Sequence, residues 1–71
     1  MNVLIFKTNV ATKIDFNKIC NILFNLPDVY DCTIDLEDCD KVLRVITSTQ
    51  TAGCVKQKIN NIGFACDELE D

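Results

Sequence analysis

The apolar positions change period repeatedly along the chain, and each change marks an element. "VLIF" (3–6) is a short unbroken apolar run of the kind a buried strand carries. "DFNKICNILFNL" (15–26) places Phe16, Ile19, Leu23 and Leu26 at helical spacing, with Cys20 and Ile22 beside them, and Pro27 with Asp28 stops the pattern. "VYDCTIDLE" (29–37) switches to alternation, with Asp31, Thr33, Asp35 and Glu37 on one face and Cys32, Ile34 and Leu36 on the other, which predicts a half-buried strand. "DCD" (38–40) predicts a tight acidic turn and "KVLRVIT" (41–47) the second strand of a hairpin. After the polar loop "STQTAG" (48–53), Val55, Ile59 and Ile62 restore the helical period, and Gly63 suits a helix end. "FACDEL" (64–69) predicts a last strand, followed by an acidic terminus in "DELED".

The order is therefore βαββαβ. Right-handed crossovers turn that order into a four-stranded antiparallel sheet with two helices on one face, an α+β, ferredoxin-like sandwich. One domain is expected to span residues 1–71, with no linker or low-complexity segment. The topology predicts that the loop at 8–14, the turn at 38–40 and the loop near Gly63 share one end. The Pro27 turn and the 48–51 loop share the other.

Composition narrows the function. The chain has 71 residues, 48% hydrophobic and 25% charged, which suits a small packed fold with a thin stability margin. Association with a second chain would widen that margin. The net charge of −4, with only seven Lys and Arg, argues against binding to nucleic acid or to an anionic membrane surface. The opening "MNVLIFKTNV" lacks the basic start and apolar length of a signal peptide, so a cytoplasmic protein is expected.

Five cysteines stand at positions 20, 32, 39, 54 and 66. Their odd number and irregular spacing do not suggest a disulfide framework. With no C-x-x-C pair and no His, the usual zinc spacings are absent. Cys20, Cys32 and Cys66 sit on apolar faces and read as small core residues. Cys39 falls in the acidic turn, where Asp38 and Asp40 blunt its reactivity. Cys54 falls in the first turn of the second helix if Thr51 caps it. The helix dipole, Lys56 and Lys58 then make it the best candidate for a reactive thiol. Cys39 and Cys66 lie toward the same end and are the candidate pair for an unusual metal site. The chain has no Ser-His-Asp set, no glycine-rich phosphate loop and no base beside Cys54, so no catalytic residues are expected. Acylphosphatases share the element order but need an arginine in the first loop; here the only arginine is Arg44, on a strand.

The framework resembles the heavy-metal-associated domains of copper chaperones and metal-transporting ATPases, over essentially the whole chain. Counting from Thr12, that family's core spacing is met by Phe16, Ile19, Leu23 and Leu26, with Asp28 and Val29 where the family has Gly-Val. "TIDLEDCDKVLRV" is similar to its hairpin and "INNIGFAC" to the end of its second helix. The family's Met-Thr-Cys-x-x-Cys loop is replaced by Val10, Ala11, Thr12, Lys13, Ile14 and Asp15. The resemblance thus implies the fold, with Thr12 and Asp15 at degenerate metal-loop positions and no metal or other cofactor expected there. Thr12 and Asp15 also match T-x-x-[DE], a capping-box variant in which each side chain reaches the other's N–H.

One sheet face should be free of helices. Alternation turns Leu43 and Val45 inward, so Val42, Arg44 and Ile46 face out. The first strand is apolar on both faces, Val3 and Ile5 against Leu4 and Phe6, and one pair must join the open face. Phe6, Val42, Arg44 and Ile46 form the candidate interface, with Tyr30 adding an amphipathic contact. The expected function is a non-enzymatic protein-interaction domain, working with a protein partner or as a homodimer. A copper or zinc chaperone or sensor using Cys39 and Cys66, and a thiol redox protein using Cys54, are the alternatives.

Overall fold

A computed structural model describes residues 2–69 of the chain, so the last two residues of the acidic tail lie outside the described residues. Six elements follow in the expected order: β1 (Asn2–Thr8), α1 (Lys13–Leu23), β2 (Val29–Ile34), β3 (Leu43–Thr47), α2 (Ala52–Asn61) and β4 (Cys66–Glu68). The strands form one sheet in the order β2-β3-β1-β4, antiparallel throughout. The two helices pack on each other, α1 against β2 and α2 against β4.

The core lies between helices and sheet. Phe6, Val10, Ile19, Leu23, Leu43, Val45, Val55 and Ile59 are fully buried there, with Cys32 and Cys66 almost so. Each such apolar side chain contributes roughly 1.5–3 kcal/mol, enough for a few of them to decide whether so small a fold holds. Val10 is the surprise among them, because it sits in a loop, where no periodicity marks it as core.

Several boundaries differ from the sequence reading. Strand β2 ends at Ile34 and β3 begins at Leu43, so the expected tight turn is a longer connection. The Asp35 N–H donates to the Val42 carbonyl at 3.0 Å and closes it, while Lys41 turns the chain at φ 46°. Glu37 and Leu36 continue the apolar-polar alternation without pairing, which is why the pattern overran the strand. Helix α1 stops at Leu23 with Phe24 as C-cap, one turn before Pro27. Helix α2 closes at Ile62, and Gly63 follows at φ 98°, a left-handed conformation that costs glycine least.

The edge strand β2 carries a bulge. Val29 pairs with Thr47 and Asp31 with Ile46, which leaves Tyr30 as the extra residue. Its ring is 56% exposed and its hydroxyl lies 3.3 Å from Ser48 Oγ.

Candidate functional site

Each half of the chain has a strand-to-helix junction, and the two are built alike. At the first, Thr8 ends β1 with its side chain buried. Its hydroxyl donates to the Lys41 carbonyl at 2.7 Å and accepts from the Val10 N–H at 3.3 Å. Four residues on, Thr12 is the N-cap of α1, accepting from the Asp15 N–H at 3.2 Å. At the second junction Thr47 ends β3, fully buried. Its hydroxyl donates to the Asp28 carbonyl at 2.7 Å and accepts from the Gln50 N–H at 3.2 Å. Four residues on, Thr51 caps α2, accepting from the Cys54 N–H at 3.2 Å. "TNVATKID" (8–15) and "TSTQTAGC" (47–54) thus share Thr-x-x-x-Thr, with Asp15 and Cys54 at equivalent places.

The carbonyls that receive the two buried hydroxyls belong to Lys41 (φ 46°) and Asp28 (φ 61°), the described non-glycine residues with positive φ. A left-handed residue turns its carbonyl away from the regular strand ladder, and a threonine hydroxyl satisfies it. Asp28 further accepts from the Ser48 N–H at 3.1 Å and, through its carboxylate, from the Thr49 hydroxyl at 3.0 Å. Sequence reasoning missed both Thr8 and Thr47. The repeated Thr-x-x-x-Thr spacing was the signal that could have found them.

The two ends of the sheet gather the loops that the topology predicted. At the first junction the Thr8 N–H donates to the Asp40 carbonyl at 3.1 Å, and the Asn9 side chain accepts from the Ala65 N–H at 2.9 Å. Lys7 pairs with Asp40 at 3.6 Å, an exposed contact worth little by itself. At the other end, the Gln50 side chain donates to the Pro27 carbonyl at 3.0 Å.

The candidate residues fall into place as follows. Thr12 acts as the cap that was expected. Among the described residues the reciprocal bond from Asp15 to the Thr12 N–H is not formed, so Asp15 contributes its charge in the first turn. The Ile14 side chain beside it, in the first turn of α1, is 68% exposed, an apolar group that periodicity did not single out. Cys54 sits in the first turn of α2, half-buried. Cys39 is exposed, its thiol 4.0 Å from an Asp40 carboxylate oxygen, whereas Cys66 is buried on β4 opposite Thr8. Burial pushes the Cys66 thiol up to about 11, with Asp67 adding to the effect and Lys56 opposing it. Asp38, Cys39 and Asp40 bring their ligand atoms within 4.8 Å of one another. Their turn already uses these atoms: Asp38 accepts from the Asp40 N–H at 2.8 Å, and Asp40 pairs with Lys7.

The open face corrects one expectation. Phe6 is fully buried and belongs to the core, not to an interface. Leu4 and Phe6 point to the helices, so Val3 and Ile5 take the open face, opposite Ile46 and Arg44 respectively. Val3 is 48% exposed, Arg44 is exposed, and Ile5, Val42 and Ile46 are half-buried. Arg44 and Val42 also line a cavity of about 420 Å³ with Thr33, Ile34, Asp35 and Asp38. No helix among the described residues is long and apolar enough to cross a membrane.

No family model and no curated protein sequence matches the chain. Solved structures do. The yeast copper transporter domain Ccc2a, studied in apo and Cu(I)-loaded states, superposes with a TM-score of 0.87 at 26% identity, covering 100% of this chain and 99% of that one. A chain of the Atx1–Cu(I)–Ccc2a complex gives 0.85 at 27% identity, with 100% and 99% covered. A copper-binding domain from HMA7, a P-type ATPase, gives 0.84 at 18% identity, with 99% and 96% covered. The chain has the heavy-metal-associated, copper-chaperone-like fold, and the resemblance read from its core spacing stands.

Proposed function

We propose that this is a non-enzymatic protein-interaction domain in which the loop that carries metal in the resembling family has become a helix cap. One observation carries the reading. The Thr12 hydroxyl is engaged with the backbone of α1, as Thr51 is with α2, so neither residue needs a ligand to explain it. The donor chemistry agrees. Copper(I) selects thiolates, and the groups at this loop are a hydroxyl and a carboxylate. The oxygen groups at this loop do not fit that ion.

Protein association is supported from two sides. A chain of this fold is found in a solved complex with a partner of its own. Here Val3 and Ile46 face each other on the side of the sheet that no helix covers, flanked by Ile5, Val42 and Arg44. Such a strip, rimmed by Asp31 and Thr33, has the make-up of an interface core with a polar edge. A second copy of this chain is the occupant to test first. Sedimentation velocity from about 1 to 100 μM, a span of some 3 kcal/mol in association free energy, should show a concentration-dependent dimer that Ile46→Asp abolishes. A sedimentation coefficient constant across that range, at the monomer value, rejects the dimer.

A further inference from the structure

Helix α1 and strand β2 meet along a seam that holds two cysteines the proposed function does not use. Cys32 is 7% exposed, on the inward face of β2 opposite Val45, and Cys20 is half-buried on α1 against the same core. Helix α1 packs on β2 here, the two thiols lie close enough to act on each other's ionisation, and the Asp31 carboxylate acts on both. The bond between them would close a short loop through the Pro27 turn. The other three cysteines, Cys39, Cys54 and Cys66, lie on the hairpin turn, α2 and β4 respectively.

We propose that Cys20 and Cys32 form an intramolecular disulfide when the reduced protein meets a low-molecular-weight disulfide such as oxidised glutathione, which makes the α1–β2 seam a redox modification site. Cys20, the more accessible of the two, loses its proton and attacks one sulfur of glutathione disulfide. That sulfur–sulfur bond breaks, and one glutathione leaves as a thiolate that takes up a proton. Cys32 then loses its proton to solvent and attacks the Cys20 sulfur of the mixed disulfide, and the second glutathione leaves in the same way. Two protein thiols are oxidised and one glutathione disulfide is reduced to two thiols.

The surroundings decide between this product and a metal at the same place. Burial raises both thiols above the ordinary range, Cys32 the more strongly, and Asp31 adds to the effect. Thiolates are therefore disfavoured in the seam, and the reaction is slow near neutral pH. A disulfide carries no charge and suits the site once formed. A copper(I) bis-thiolate would place a net negative charge beside Asp31.

The test uses the whole chain, reduced, freed of metal and incubated with excess oxidised glutathione at pH 8. Peptide mapping without reductant should find one cross-linked pair, Cys20 with Cys32, in the wild type and in a Cys39→Ser, Cys54→Ser variant. Closing a loop of this length should raise the thermal midpoint by about 10 °C, and reductant should reverse the rise. Cys20→Ser should lose both the cross-link and the shift. This variant changes a half-buried site, so folding is retained even where Cys32→Ala fails to fold. Stable glutathione adducts on Cys39 or Cys54, with Cys20 and Cys32 both still free to alkylate after denaturation, would overturn the proposal. So would tight copper(I) binding that Cys20→Ser removes while oxidation yields no cross-link.

Discussion

The two strand-to-helix junctions use one backbone solution with different third residues. Thr8 and Thr47 each bury a hydroxyl against a left-handed carbonyl, and Thr12 and Thr51 each cap the helix that follows. They differ three residues into the helix, where the first junction has Asp15 and the second Cys54. The second junction serves as an internal control. There a threonine caps a helix with no carboxylate three residues on, so the Thr12 hydroxyl at the first junction has ordinary structural employment.

The sharpest way to break the comparison is to return thiols to the first junction. Thr12→Cys with Asp15→Cys should gain at least about a thousandfold in copper(I) affinity over the wild type, some 4 kcal/mol, read by competition with a copper(I) chelator. Equally tight binding by the two proteins would mean that the native chain holds the ion elsewhere, and equally weak binding that the loop no longer has the geometry for it.

Alkaline pH separates the junctions next, because only the first has a buried thiol against it, Cys66 opposite Thr8. In the unfolded chain a thiol ionises from about pH 8.5, while folded Cys66 resists until about 11. The unfolded state thus sheds its proton first. Stability is flat below that point and falls between roughly pH 9 and 11, by on the order of 2 kcal/mol from this residue. Urea midpoints at pH 7 and 10 should show the drop, and Cys66→Ala should shrink it.

Removing the buried hydroxyls tests the likeness directly. Thr8→Val and Thr47→Val should each cost about 1–3 kcal/mol, since each removes a hydroxyl bond to a left-handed residue's carbonyl and takes the acceptor from the Val10 or Gln50 N–H. Similar urea midpoints for the two would support the symmetry. The caps rank lower: Thr12→Ala and Thr51→Ala should each cost about 1 kcal/mol, a fall of roughly 4–8 °C in thermal midpoint. A Thr12→Ala variant as stable as wild type would remove the structural reason for that residue. The smallest effect belongs to Asp28→Gly. It relieves a positive φ but loses the contact to Thr49, for a net change within about 1 kcal/mol in either direction.

The fold was legible because period changes are local. Ile19 and Leu23, or Cys32 and Val45, declare their element from neighbours alone, and core spacing carried the family likeness even without a C-x-x-C pair. Phe6 was not legible in the same way. Strand β1 is apolar on both faces, so only the register Val3–Ile46 and Ile5–Arg44 settles which pair is buried. Thr8 and Thr47 were hidden for a different reason. A threonine at a strand end reads as surface until a partner carbonyl arrives from a distant turn, and no pattern near Thr8 announces Lys41. The seam between Cys20 and Cys32 likewise exists only once α1 has folded over β2.

Tyr30 has a consequence for how copies of this chain can meet. The strand that carries it is an outer strand, and a bulge there spoils the straight row of amide and carbonyl groups that a newcomer would copy. On the far side the margin is three residues long, two of them acidic. Among the described residues neither margin offers a long straight template for extending the sheet sideways. Growth into ribbons or fibrils is disfavoured at both, which leaves the uncovered face of the sheet as the surface better suited to a second copy.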